Sequence, residues 1–209
     1  MATIPSATLR ALARRDPRLG KAMKRLEPCP AFPVASKKRQ SHFESLAQAI
    51  VYQQLAGAAA ATIFGRVCAL TEGPRFPKAE ELMALQEKEL RGAGLSANKL
   101  LALQDLAARS LDRRLPLRSL GRQSNETILE ELVAVRGIGP WTAQMFLMFK
   151  LGRLDVLAPG DLGLQEGLRR LDGLQERPKP AELEARGEDW APYRTVACWY
   201  LWRLADEDV

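Results

Sequence analysis

Apolar side chains recur at helical spacing twice between residues 125 and 150. Ile128, Leu129, Leu132, Val133 and Val135 share one face of a helix that begins at Asn125. Gly137-Ile138-Gly139-Pro140 ends it, because glycine allows positive φ and proline is tolerated in the first turn of the next helix. Trp141 to Phe149 restarts the helical pattern, and a link running through Asp155 leads to Pro159-Gly160-Asp161. The prediction is helix, tight turn, helix, loop, acid, followed by a helix over 162–171.

The rest of the chain reads the same way. Residues 5–27 carry Leu9, Leu12, Leu19, Met23 and Leu26 as one amphipathic helix, with Pro17 the point at which it can break. Ser41 and Glu44 have capping-box spacing and open a helix whose buried stripe is Phe43, Leu46, Ala47, Ile50 and Val51. Gln53-Gln54-Leu55-Ala56-Gly57 interrupts it, and a helix rich in small residues covers 58–70. A short acidic helix is expected over 78–90. Gly92-Ala93-Gly94 then turns into a helix capped by Ser96. The stretch 173–182, with Pro178 and Pro180, reads as exposed linker, and Pro192 as a helix start. No run alternates with period two and no Asn-Gly turn appears, so the fold class is all-α.

Composition narrows the class. The 209 residues, 46% apolar and 27% charged, describe a globular chain of one domain, or two lobes sharing a core. No apolar run reaches membrane-spanning length. Met1-Ala2-Thr3-Ile4-Pro5 lacks a signal pattern, which gives a cytoplasmic expectation, nucleoid-associated in a bacterium. The cysteines at 29, 68 and 198 show no zinc spacing, and the single His42 excludes a histidine-rich metal site; no metal and no cofactor are expected. The net charge of +6 is uneven: residues 10–39 hold ten basic side chains against Asp16 and Glu27. That segment is either a polyanion-steering face or a solvated basic helix.

The chemistry lies in the turn and the acid. A Gly-x-Gly turn entering a helix points main-chain N–H groups one way, and the helix dipole adds positive potential, so Gly137, Ile138, Gly139 and Thr142 form a candidate phosphate grip. Asp161 then presents a carboxylate to whatever the turn has docked.

Gly137-Ile138-Gly139-Pro140-Trp141-Thr142-Ala143 followed by Asp161 resembles the helix-hairpin-helix DNA glycosylase superfamily, alkylation-repair branch of 3-methyladenine DNA glycosylase II type. The Gly-Leu-Ser-x-x-Lys stretch ending at Lys99 and the Trp190-x-Pro-x-Arg-Thr-x-Ala ending, with Thr195 in place of the family's Ser, also match, over roughly residues 40–205. The resemblance implies a two-lobed all-α fold with a cleft between lobes and no N-terminal β domain. One lobe comes mainly from about 41–150 and the other from the terminal helices, all within a single domain, 1–209. It implies a monomer whose partner is double-stranded DNA carrying alkylated bases.

The resemblance also implies roles. Asp161 is the catalytic aspartate, acting as an ionised carboxylate. Gln53, Gln54 and Leu55 are the wedge that fills the gap left by an extruded base; from the residues alone they are equally a buried helix junction. Trp141, Met145 and Trp202 line the base pocket, although a tryptophan taken alone is more often core. Met145 stands where a relative has tyrosine. Lys99 is structural, near the hairpin or a phosphate. Bifunctional relatives carry a lysine at the position of Trp141, so hydrolysis without strand cleavage is expected. The alternative is a helix-hairpin-helix module that binds DNA without catalysis.

Overall fold

A computed structural model describes residues 3–207. Among them the chain is helical, with a single isolated bridge between Thr3 and Pro30. Ser6–Arg15 (α1) and Pro17–Arg25 (α2) are separate helices. Asp16 stands between them and caps α2 by accepting from the Leu19 N–H at 2.9 Å, while Pro17 takes the first helical position. A loop and the short Ala35–Lys38 (α3) follow. His42–Tyr52 (α4) starts on Ser41, whose hydroxyl accepts from the Glu44 N–H as the sequence predicts. Gly57–Cys68 (α5) comes next.

The acidic helix expected over 78–90 is two helices, Ala79–Ala84 (α6) and Glu87–Gly92 (α7). Leu85 is extended between them, and the carboxylates of Glu81 and Glu89 accept from the Lys78 and Gln86 N–H groups, each 2.7 Å away. Two local caps beat one continuous helix here. Ala97–Leu111 (α8) opens on Ser96. A 3-10 turn at Leu120–Arg122 precedes Asn125–Val133 (α9). Pro140–Met145 (α10) runs on as a π-helical turn, Phe146–Leu151. Leu162–Asp172 (α11), Pro180–Gly187 (α12) and Arg194–Ala205 (α13) complete the order. The stretch predicted as linker therefore contains the start of α12, and its Pro178 is buried. Pro192 is not at a helix start; it follows a cis peptide bond, and α13 begins two residues later.

The chain folds as two compact units. The first takes the chain up to Lys38 and from Leu147 onward; the second is Arg39–Phe146. In the first, α11 packs along α13 so closely that a Cβ on Gly167 would overlap the Leu201 carbonyl. Asp16, 3% exposed, is satisfied there by the Trp190 indole N–H at 2.8 Å, the Leu19 N–H and the Arg186 guanidinium. Burial alone would raise its pKa; those donors outweigh it and hold the carboxyl below the ordinary value. In the second unit α8 is central. Leu100, Leu103, Leu106 and Ala107 are buried where α4 and α6 pack against it.

Candidate functional site

Within the second unit, α9 and α10 form the predicted helical hairpin. Only one of its two glycines uses left-handed backbone: Gly137 has φ +78°, whereas Gly139, the N-cap of α10, has φ −93°. Pro140 takes the first position of α10. Arg136, Gly137, Gly139 and Pro140 are exposed, so the main chain forms the open surface of the turn. Ile138 and Thr142 are buried at 3% and 8% exposure. Their side chains are core, so main chain rather than side chain makes the exposed surface of this turn. Val133, predicted to be core, is exposed.

The Gln53-Gln54-Leu55 turn joins α4 to α5. Gln54 adopts φ +56°, uncommon for a residue with a side chain, and both Gln54 and Leu55 are exposed. Gln53 differs from its neighbours: its Nε2 donates to the Gly137 carbonyl at 2.8 Å. That amide ties the turn to the hairpin, so Gln53 is engaged by protein while Gln54 and Leu55 stand exposed. Lys99 donates to the carbonyls of Val51 at 2.6 Å and Gln53 at 2.8 Å, so it caps the carbonyl end of α4. It lies near the hairpin, as expected, but its ammonium is engaged by protein oxygens.

Within the first unit, Asp161 is the N-cap of α11 and is partly buried. Its Oδ1 accepts from the Leu164 N–H at 2.8 Å and from the Trp202 indole N–H at 3.0 Å. Two donors on one oxygen fix the plane and direction of the carboxylate. Trp202 is itself stacked on Phe149, with ring centres 5.8 Å apart, and Phe149 belongs to the π-helical turn. Gly163 leaves room for the indole, since a Cβ there would come within 3.0 Å of its Cδ1. Leu162, next to the acid, is 64% exposed.

The loop that carries the acid is bonded at nearly every step. Asp161 N donates to the Ala158 carbonyl at 3.0 Å, and the buried Gln165 amide donates to the Pro159 carbonyl at 2.8 Å. Thr195 is fully buried; its hydroxyl donates to the Arg153 carbonyl at 2.7 Å and accepts from the Val156 N–H at 3.1 Å. Arg194 grips Asp155 through Nε and Nη2, at 2.7 and 2.9 Å. The side-chain bond to Asp155 is the main reason its guanidinium pKa is raised further.

These features agree with what the chain resembles among known proteins. The family model described as "HhH-GPD superfamily base excision DNA repair protein" matches residues 47–192. This chain belongs to the HhH-GPD superfamily. DNA-3-methyladenine glycosylase 1 of Schizosaccharomyces pombe is 35% identical over 174 residues, 83% of this chain and 76% of that protein. The solved structure of a DNA-3-methyladenine glycosidase from Bacillus halodurans superposes with TM-score 0.86 at 38% identity, covering 95% of this chain and 89% of the other. A 3-methyladenine DNA glycosylase from Schizosaccharomyces pombe, solved in complex with abasic DNA, gives TM-score 0.77 at 32% identity, covering 94% and 95%.

Within this family member the structure brings Asp161 to Trp202 and Gln53 to Gly137. Trp141, 51% exposed, and Met145, partly buried, sit on α10. Sequence reasoning did not foresee that Thr195, Gln165 and Asp155 hold the loop beneath the acid. The Arg194-Thr195 pair was visible as a motif near the C-terminus, but its partners lie 39–42 residues upstream. No helix among the described residues is long and apolar enough to cross a membrane.

Proposed function

We propose that this protein is a monofunctional DNA glycosylase of base excision repair. It flips cationic N-methylated purines, such as 3-methyladenine and 7-methylguanine, out of double-stranded DNA and hydrolyses their glycosidic bonds. It works as a monomer on cytoplasmic or nucleoid DNA. The observation that carries this reading is the Asp161 carboxylate, aimed by the Trp202 and Leu164 N–H groups. The family membership and the relatives named as 3-methyladenine glycosylases support it.

The roles follow from the chemistry. A duplex hides the glycosidic bond in its stack, so the nucleotide must be extruded at a cost of a few kcal/mol. The exposed main chain at Gly137 and Gly139, at the start of α10, grips a backbone phosphate. Gln54 and Leu55 fill the gap, with Gln54 meeting the orphaned partner and Leu55 stacking. Trp141, Met145 and Trp202 receive the base, whose positive charge favours an aromatic face.

As the C1′–N bond breaks, positive charge grows on the deoxyribose, as in other glycoside cleavages. Asp161 stabilises that charge, and water adds to C1′ with loss of its proton toward the carboxylate. An N-methylated purine is already cationic and leaves as a neutral base, so no strong general acid is needed. Trp141 occupies the position where bifunctional relatives carry lysine, so no Schiff base forms and the product is an intact strand with an abasic site.

Methylated duplex DNA tests the reading directly. Wild type releases methylated purines into solution, seen by chromatography, and Asp161→Asn does not. Borohydride yields no covalent protein–DNA adduct. Equal release by both proteins removes Asp161 from catalysis, and DNA binding with no release by wild type leaves a non-catalytic DNA-binding module.

A further inference from the structure

Both exposed turns of the second unit rest on one stripe of α8. Three residues at successive i, i+3 positions carry the contacts: Lys99, Ala102 and Asp105. Lys99 holds the carbonyls of Val51 and Gln53, directly before the Gln54-Leu55 turn. Ala102 lies under the hairpin turn, where a Cβ on Gly137 would come 3.2 Å from its own Cβ. The Asp105 carboxylate accepts from the Arg136 N–H at 2.8 Å and is braced by Arg109 at 2.9 Å. The Gln53 amide closes the circuit by bonding Gly137.

This arrangement has a clear mechanical content. Lys99 and Gln53 connect in series: the ammonium fixes the Gln53 main chain, and the Gln53 side chain fixes the hairpin. A displacement of either turn therefore strains or breaks short polar bonds. Gln54, with its left-handed φ, needs such restraint, because a non-glycine residue relaxes out of that region when released.

We infer that Lys99 and Asp105 are positioning residues that lock the Gln54-Leu55 turn and the Gly137-Gly139 turn into one rigid DNA-engaging element. Gripping the phosphate and filling the vacated base position are then a single event. The inference rests on the wedge and grip roles proposed above, but not on the identity of the excised base or on the role of Asp161.

The test separates engagement from chemistry. The engagement probe is a duplex carrying a tetrahydrofuran abasic site beside 2-aminopurine, whose fluorescence rises when the stack opens. Wild type raises the signal. Lys99→Met loses most of that rise and slows single-turnover base release from methylated duplex by about ten- to a hundred-fold, the scale of an ångström-level misplacement. On methylated single strands, which offer the grip a phosphate but have no partner base to replace, the loss in Lys99→Met is clearly smaller than on duplex, because coupling the grip to the wedge is not needed there. Lys99→Arg, which keeps a charged donor, recovers part of the duplex loss. Circular dichroism and melting confirm that the variants are folded, and Asp105→Ala, which removes the acceptor of the Arg136 N–H, serves as a second variant if Lys99→Met does not fold.

Equal losses on duplex and single strand overturn the inference, as does a wild-type fluorescence rise in Lys99→Met. No rise with wild type itself removes the wedge role and the inference together. A normal rise with no base release by wild type leaves the positioning inference standing and removes the glycosylase reading instead.

Discussion

The surroundings of Asp161 and the hairpin turn solve opposite problems. Around the acid, side chains do the holding. Trp202, Thr195, Arg194 and Gln165 each spend a polar group on the 153–161 loop or on the carboxylate. At the hairpin, side chains retreat into the core and main chain forms the surface, with Ile138 and Thr142 buried and Gly137 and Gly139 exposed. In the function proposed above, the carboxylate meets a developing charge and needs one direction, which a dense side-chain network provides. The proposed grip on phosphate serves any sequence of bases, and uniform main-chain donors suit that.

Substitutions can break this contrast. The largest effect is expected from Asp161→Asn, with single-turnover base release lower by about 10²–10³-fold, the scale of removing one electrostatic stabiliser. Asparagine still accepts from the Leu164 and Trp202 N–H groups, so the melting temperature should barely move. A large drop in melting temperature would show that Asp161 acts mainly as a cap.

Asp16→Asn probes the same unit away from the acid. Removing the charge from a 3%-exposed carboxylate paired with Arg186 costs about 3 kcal/mol of unfolding free energy. Base release per folded molecule stays unchanged. The folded-state pKa of Asp16 lies below its ordinary 3.8, so its contribution is complete above that pH and is lost as pH falls through the lowered value. Denaturant melts across pH should show the gap between wild type and variant closing only in acid.

Thr195→Val keeps the shape and removes the hydroxyl that holds the Arg153 carbonyl and the buried Val156 N–H. The expected loss is about 2 kcal/mol of stability. Base release should also slow, because the loop it holds ends at Asp161. Unchanged release would separate the loop from the chemistry.

Gly137→Ala gives the smallest change. At φ +78° a Cβ costs about 1 kcal/mol, and this one also presses on Ala102. Affinity for abasic duplex, by fluorescence anisotropy, should fall while release of base from bound complexes changes little. The same variant should leave the Asp161 loop, read by amide exchange, as it is in wild type.

Much of this was legible in the sequence because it is local. Ser41 and Ser96 cap α4 and α8 from their own side chains, and Pro17 and Pro140 take first helical positions. The hairpin, the acid and the all-α class follow from such signals, each satisfied within four residues. The break at Leu85 is also local, written in Glu81 and Glu89, but it is masked because both halves share one acidic pattern.

Only the tertiary structure decided where long polar side chains find their partners. Gln53 reaches Gly137 across 84 positions, and Lys99 reaches Val51 across 48. Nothing in either residue's neighbourhood along the chain distinguishes a probe of DNA from an internal tie. Exposure was undecided for the same reason: Val133 follows the apolar pattern of α9 yet faces out, and Pro178 follows a loop pattern yet is buried. A cap is fixed by backbone geometry one turn away, whereas a tie between distant segments exists only after the core has packed and brought them together.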